Sequence, residues 1–122
     1  MKELRSILVI TEEGCPSCNR LFARLVEDYL QDTTALVWVN AMGTILDISA
    51  FRSNSDRIVW DYGDSLRALG IIQGSGAIFL EGGRIDTVIQ VEARTLEISL
   101  SEVAARLSGR SVARPGIGDY TP

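Results

Sequence analysis

The chain predicts an α/β domain with a mixed central sheet and helices over both its faces. Three observations predict it. An apolar run, an amphipathic stretch and a second apolar run follow one another near the start, which is the pattern of a βαβ unit. Two further apolar runs near the end are separated by Gly82-Gly83, the pattern of an antiparallel hairpin. A last amphipathic stretch closes the order. A parallel pair joined to a hairpin gives a mixed sheet, whose two apolar faces must be covered.

Ile7-Leu8-Val9-Ile10 is a β-branched-rich run of the kind buried on both faces of a sheet. Glu12, Glu13 and Gly14 end it. From Pro16 the apolar positions Leu21, Phe22, Leu25, Val26, Tyr29 and Leu30 share one face of a helix, with Pro16 suited to its first turn. Asp32-Thr33-Thr34 closes that element, and Ala35-Leu36-Val37-Trp38-Val39 reads as a second buried strand. The crossover between the two strands should be right-handed and the strands parallel.

Residues 41–60 are less periodic. Ile45, Ile48 and Phe51 suggest a short helix, 52–56 a polar loop, and Ile58-Val59-Trp60 an extended or under-loop segment. Trp38 and Trp60 read as packing residues. Residues 64–69 suggest a short helix closed by Gly70. Ala77-Ile78-Phe79-Leu80 and 85–91 are the hairpin strands. Ser99 and Glu102 have the spacing of a capping box ahead of Val103, Ala104 and Leu107, with Gly109 as the stop. Residues 1–109 then form one domain, and 110–122, with Pro115, Gly116, Gly118 and Pro122, a mobile tail.

Composition excludes several classes of function. A net charge of −4 is opposite to the basic face a nucleic-acid binder needs. No apolar stretch approaches the roughly 20 residues that span a bilayer. Met1-Lys2-Glu3-Leu4-Arg5 leads almost directly into the first strand, so the expectation is a cytoplasmic protein, with the bacterial periplasm as the alternative if a leader has been removed. The chain has no histidine, which leaves Ser17 and Ser75 without the base a serine hydrolase uses. Gly74-Ser75-Gly76 lacks the Lys-Ser/Thr that follows in a phosphate loop.

Cys15-Pro16-Ser17-Cys18 carries the chemistry. Two cysteines three apart at a helix start can close a small disulfide ring, and the helix end stabilises a thiolate. They are the only cysteines, so no other disulfide competes. As metal ligands they are half of a tetrahedral zinc site, although such a pair can also hold Cu(I) or bridge two chains around a metal or cluster. No resident metal or organic cofactor is expected.

Over residues 4–108 this order, with Cys-x-x-Cys between the first strand and first helix, resembles the three-layer thioredoxin-like fold. Cys15-Pro16-Ser17-Cys18 matches the family motif, its proline as in the glutaredoxin and bacterial disulfide-exchange branches. Gln73-Gly74-Ser75-Gly76-Ala77-Ile78 is similar to the family's loop before the third strand. The chain departs from the family at three positions: Gly76 stands where the cis-proline would be, Gly14 where an aromatic residue precedes the motif, and Val9 where thioredoxins proper bury an aspartate.

The resemblance implies a thiol–disulfide oxidoreductase in which exposed Cys15 is the nucleophile and deeper Cys18 the resolving thiol. Pro16 and Ser17 would tune the pair, Glu12 or Glu13 would be a candidate proton shuttle, and Gly14, Ser75 and Gly76 would line a substrate groove. The helix end lowers the Cys15 pKa while Glu12 and Glu13 oppose it, so an intermediate or reducing potential is expected. The implied partners are a disulfide-containing protein or small thiol and a reductase or thiol electron donor, acting on a monomer. The alternative is a non-catalytic module of the same fold with a structural disulfide or metal-bridged cysteine pair.

Overall fold

The computed structural model describes residues 3–52, 57–63 and 65–109. The expected tail at 110–122, most of the polar loop at 52–56, and Asp64 at the head of the expected short helix lie outside the described residues. Five strands form one sheet in the order β3-β2-β1-β4-β5. These are β1 (Ser6–Thr11), β2 (Ala35–Asn40), β3 (Ile58–Trp60), β4 (Gly76–Glu81) and β5 (Arg84–Gln90). β1 runs parallel to β2 with Val9 opposite Trp38, and β2 parallel to β3. β4 lies antiparallel to β1 and β5 antiparallel to β4, so the parallel and antiparallel halves meet at β1. The sheet is therefore mixed, as the sequence predicts. Gly82 and Gly83 form the two-residue hairpin turn, both at positive φ.

Successive side chains of β1 explain why its run is wholly apolar. Leu8 and Ile10 enter one core with Val37, Val39, Ala77, Phe79 and Ile89. Ile7 and Val9 enter a second with Trp38, Ile72 and Ile78 on the other side of the sheet. The first core is closed by helix α1 (Pro16–Glu27) through Phe22, Ala23 and Val26, by α2 (Ser49–Arg52) through Phe51, and by α4 (Leu96–Gly109) through Val103 and Leu107. Among the described residues, the second is closed by Leu66 of α3 (Ser65–Ala68) and by Ile71 and Ile72. Helices thus lie on both faces, but unequally, and Ile85 and Val88 of β5 remain exposed.

Three local expectations are corrected. Leu21 is exposed and α1 ends at Glu27, with Tyr29 and Leu30 packing on the core from beyond its end. The spacing of Ile45, Ile48 and Phe51 gives only the four-residue α2, and Ile45 is 69% exposed. Its amide is taken by a carboxylate, which holds residues 42–46 as a loop. The Ser99–Glu102 box does not begin a helix: Ser99 is buried inside α4, its hydroxyl 3.1 Å from that of Thr95. Glu102 faces Arg106 at 3.7 Å. Leu96 and Leu100 pack on the first core, so burial extends the helix N-terminally past the local capping pattern. A 3₁₀ turn, Ala93–Thr95, leads into it.

Candidate functional site

The motif follows β1 at the centre of the sheet, and the chain between strand and helix is fixed residue by residue. The Thr11 hydroxyl oxygen accepts the Glu13 N–H at 2.9 Å. Gly14 lies at φ +78° with nothing near a would-be Cβ, so the left-handed turn itself is what requires glycine there. Cys15 is the N-cap of α1, with φ −78° and ψ 109°. Its carbonyl accepts the Asn19 N–H at 3.0 Å and its sulfur accepts the Cys18 N–H at 3.2 Å. A sulfur at this place meets an amide that has no partner within the helix, which favours negative charge on it. Pro16 occupies the first turn, where no N–H is needed.

Cys15 and Cys18 form a disulfide with a Cα–Cα separation of 5.2 Å. The pair is asymmetric: Cys15 is half-buried and its neighbours Pro16 and Ser17 are exposed, whereas Cys18 is 1% exposed. An incoming group reaches Cys15 first.

The two glutamates before the motif have different partners. Glu12 turns its carboxylate to the loop after β2, accepting the N–H groups of Met42 at 3.1 Å, Ile45 at 3.0 Å and Leu46 at 2.9 Å. Burial alone would raise its pKa. The backbone N–H groups of Leu46, Ile45, Met42 and Gly43 outweigh that and hold it below the usual range. Kept ionised and engaged by these N–H groups, the Glu12 carboxylate holds the loop after β2. Glu13 is exposed and lies 3.8 Å from Arg67, an exposed pair of small energetic weight.

Ser75 is 1% exposed, and Gly76, the first residue of β4, is buried as well; Gly14 is exposed. The Ser75 oxygen accepts the Thr11 N–H at 3.1 Å, and its hydroxyl donates to Asn19 Oδ1 at 2.7 Å. Asn19 Nδ2 in turn donates to the Glu13 carbonyl at 2.9 Å. Asn19, 3% exposed, was not singled out by sequence reasoning. The signal was present: with Cys18, Phe22, Ala23 and Val26 it lies on the buried stripe of α1, and a polar residue on such a stripe needs polar partners. A Cβ at Gly76 would collide with the Ile89 carbonyl and stand 2.8 Å from Gln90 Cα. Close approach of two backbones therefore selects glycine there.

Asp61, at the end of β3, is a second polar centre. Its carboxylate accepts the Trp38 indole N–H at 2.9 Å and the N–H groups of Gly63, Ser65 and Leu66 at 3.1–3.2 Å. Burial pushes its pKa up, but these donors bring it from 3.8 to about 2. It caps α3 and pins the Trp38 ring. The cavity between Asp61, Trp38 and Ile72 measures about 10 Å³, room for at most one water. An open cleft of about 620 Å³ lies among Phe79, Asp86, Arg106 and Gly109, towards the hairpin end of the sheet and not at the cysteines. Among the described residues no three His, Cys, Asp or Glu side chains gather as a metal site. No described helix is long and apolar enough to cross a membrane. No protein-family model, curated protein or solved structure matches the chain.

Proposed function

We propose that this chain is a thiol–disulfide oxidoreductase of the thioredoxin-like kind. The observation that carries the reading is the asymmetric disulfide at the start of α1, with Cys15 half-buried at the helix N-cap and Cys18 enclosed behind it. The meeting of a parallel βαβ half and an antiparallel hairpin half at β1 supports it, being the layout the resemblance implies.

In the reduced protein the Cys15 thiolate is stabilised by the helix end and the Cys18 amide. It attacks a disulfide R–S–S–R′, forming Cys15–S–S–R and releasing R′–S⁻, which takes up a proton. Cys18 then gives up its proton and attacks the Cys15 sulfur, closing the Cys15–Cys18 disulfide and releasing R–S⁻. Two electrons pass from the dithiol to the substrate disulfide, and a reductase or thiol donor returns them. Run backwards, the same steps oxidise a substrate dithiol. No resident cofactor takes part. The substrate is a disulfide-bearing protein or small thiol compound, and Pro16 and Ser17 form the exposed rim it meets.

Trapping separates the two roles. Cys18→Ser should accumulate mixed disulfides through Cys15, whereas Cys15→Ser should lose exchange and trap little. Equal trapping by both variants would contradict the roles, and no exchange by the wild type with any thiol would favour a structural disulfide.

A further inference from the structure

We propose that Asn19 and Ser75 are a positioning pair that sets the thiol–disulfide equilibrium of Cys15 and Cys18. The inference rests on the redox reading of that pair. Among the described residues neither side chain hydrogen-bonds to a sulfur; both act through the backbone that carries Cys15.

Asn19 follows Cys18 on the rigid helix, while Ser75 stands at the entry to β4, 56 residues away. Both are almost wholly enclosed. Asn19 uses its carbonyl on the Ser75 hydroxyl and its amide on the Glu13 carbonyl, two residues before Cys15. Ser75 also receives the Thr11 N–H, so one hydroxyl joins the end of β1 to α1. Glu13 is thus held from Thr11 on one side and from Asn19 on the other. The next residue is Gly14, the most freely rotating in the segment, and Cys15 follows. The latch acts where the backbone would otherwise be loose.

Its energetic effect differs between redox states. In the oxidised protein the covalent bond holds Cys15 against Cys18 with or without the latch. In the dithiol residues 13–15 are restrained by noncovalent contacts instead: the N-cap, the Thr11 hydroxyl on the Glu13 N–H, and the latch. Removing the latch lets the dithiol gain conformational freedom that the disulfide cannot gain, so the equilibrium shifts toward the dithiol. Freeing about one residue's backbone corresponds to about a tenfold change, or about 30 mV for a two-electron couple. The balanced reaction is Cys15–Cys18 disulfide plus two thiols giving the dithiol and one small-molecule disulfide.

The test is to titrate wild type, Asn19→Ala, Ser75→Ala and the double variant in glutathione and in dithiothreitol buffers, counting free thiols. Each single variant should make the disulfide about tenfold easier to reduce, and the double variant no more so than the singles. Midpoints within twofold of wild type, or singles whose effects multiply in the double variant, would overturn the proposal. A merely structural role would lower the melting temperatures of both redox forms equally and leave the midpoint in place. If Asn19→Ala does not fold, Ser75→Ala alone decides. The wild-type midpoint tests the redox reading, while the difference between wild type and variants tests the latch. The second remains readable in dithiothreitol even if glutathione fails to open the wild-type pair.

Discussion

Adding one methyl group at Gly76 tests the packing that sets β4 beside the motif. In Gly76→Ala the new carbon meets the Ile89 carbonyl oxygen and lies 2.8 Å from both Gln90 Cα and Ile72 Cδ1. Cβ atoms essentially never approach within 3.0 Å, and two of the three obstacles are backbone. Side-chain rotation therefore cannot relieve the clash; β4 and β5 must part by several tenths of an ångström. The adjoining bond from the Val91 N–H to the Ser75 carbonyl, 2.9 Å long, is stretched by that motion. Overpacking of about 1–3 kcal/mol and the loss of about one hydrogen bond give a destabilisation of about 2–4 kcal/mol. Urea unfolding followed by circular dichroism reads it directly. A variant within about 0.5 kcal/mol of wild type would refute the reasoning, since that is the ordinary effect of a surface substitution.

Two further predictions come from the carboxylates. Asp61 has a depressed folded pKa, so its contribution is present above about pH 4 and lost as pH falls towards 2. A shift from 3.8 to about 2 is worth about 2 kcal/mol; the stability gap between wild type and Asp61→Asn should be near that at pH 7 and close below pH 3, and a pH-independent gap would contradict it. Glu12→Gln leaves one acceptor oxygen where two now serve Met42 on one side and Ile45 with Leu46 on the other, so part of these bonds is lost and the rest become neutral. It should cost about 1 kcal/mol and speed hydrogen exchange at those three amides, whereas unchanged exchange would mean the loop is held by other contacts.

Much of the sheet was legible because its signals are local. The continuous run at Ile7–Ile10 has both faces buried, and the Gly82-Gly83 turn fixes the hairpin by backbone conformation alone. The parallel pairing of β1 with β2 followed from the strand–helix–strand pattern, whereas Ile58-Val59-Trp60, legible only as extended or under a loop, joins β2 as the edge strand. Illegible were the features held by long-range polar contacts. Glu12 bonds residues 42–46 and Ser75 bonds Asn19, partners far away in the chain that the expected shuttle and groove roles of these residues do not point to. The Ser99–Glu102 spacing misled for the opposite reason: a valid local signal was overridden by the packing of Leu96 and Leu100. The cysteine pair was plain from spacing; the polar latch behind it was not.

The redox equilibrium of Cys15 and Cys18 in glutathione buffers tests the central claim most directly. An exchange catalyst should show a midpoint between about −120 and −270 mV, with Cys15 the faster thiol to alkylate once the pair is reduced. A midpoint well below about −300 mV, with the disulfide resistant to glutathione, would mark a structural crosslink and contradict the account.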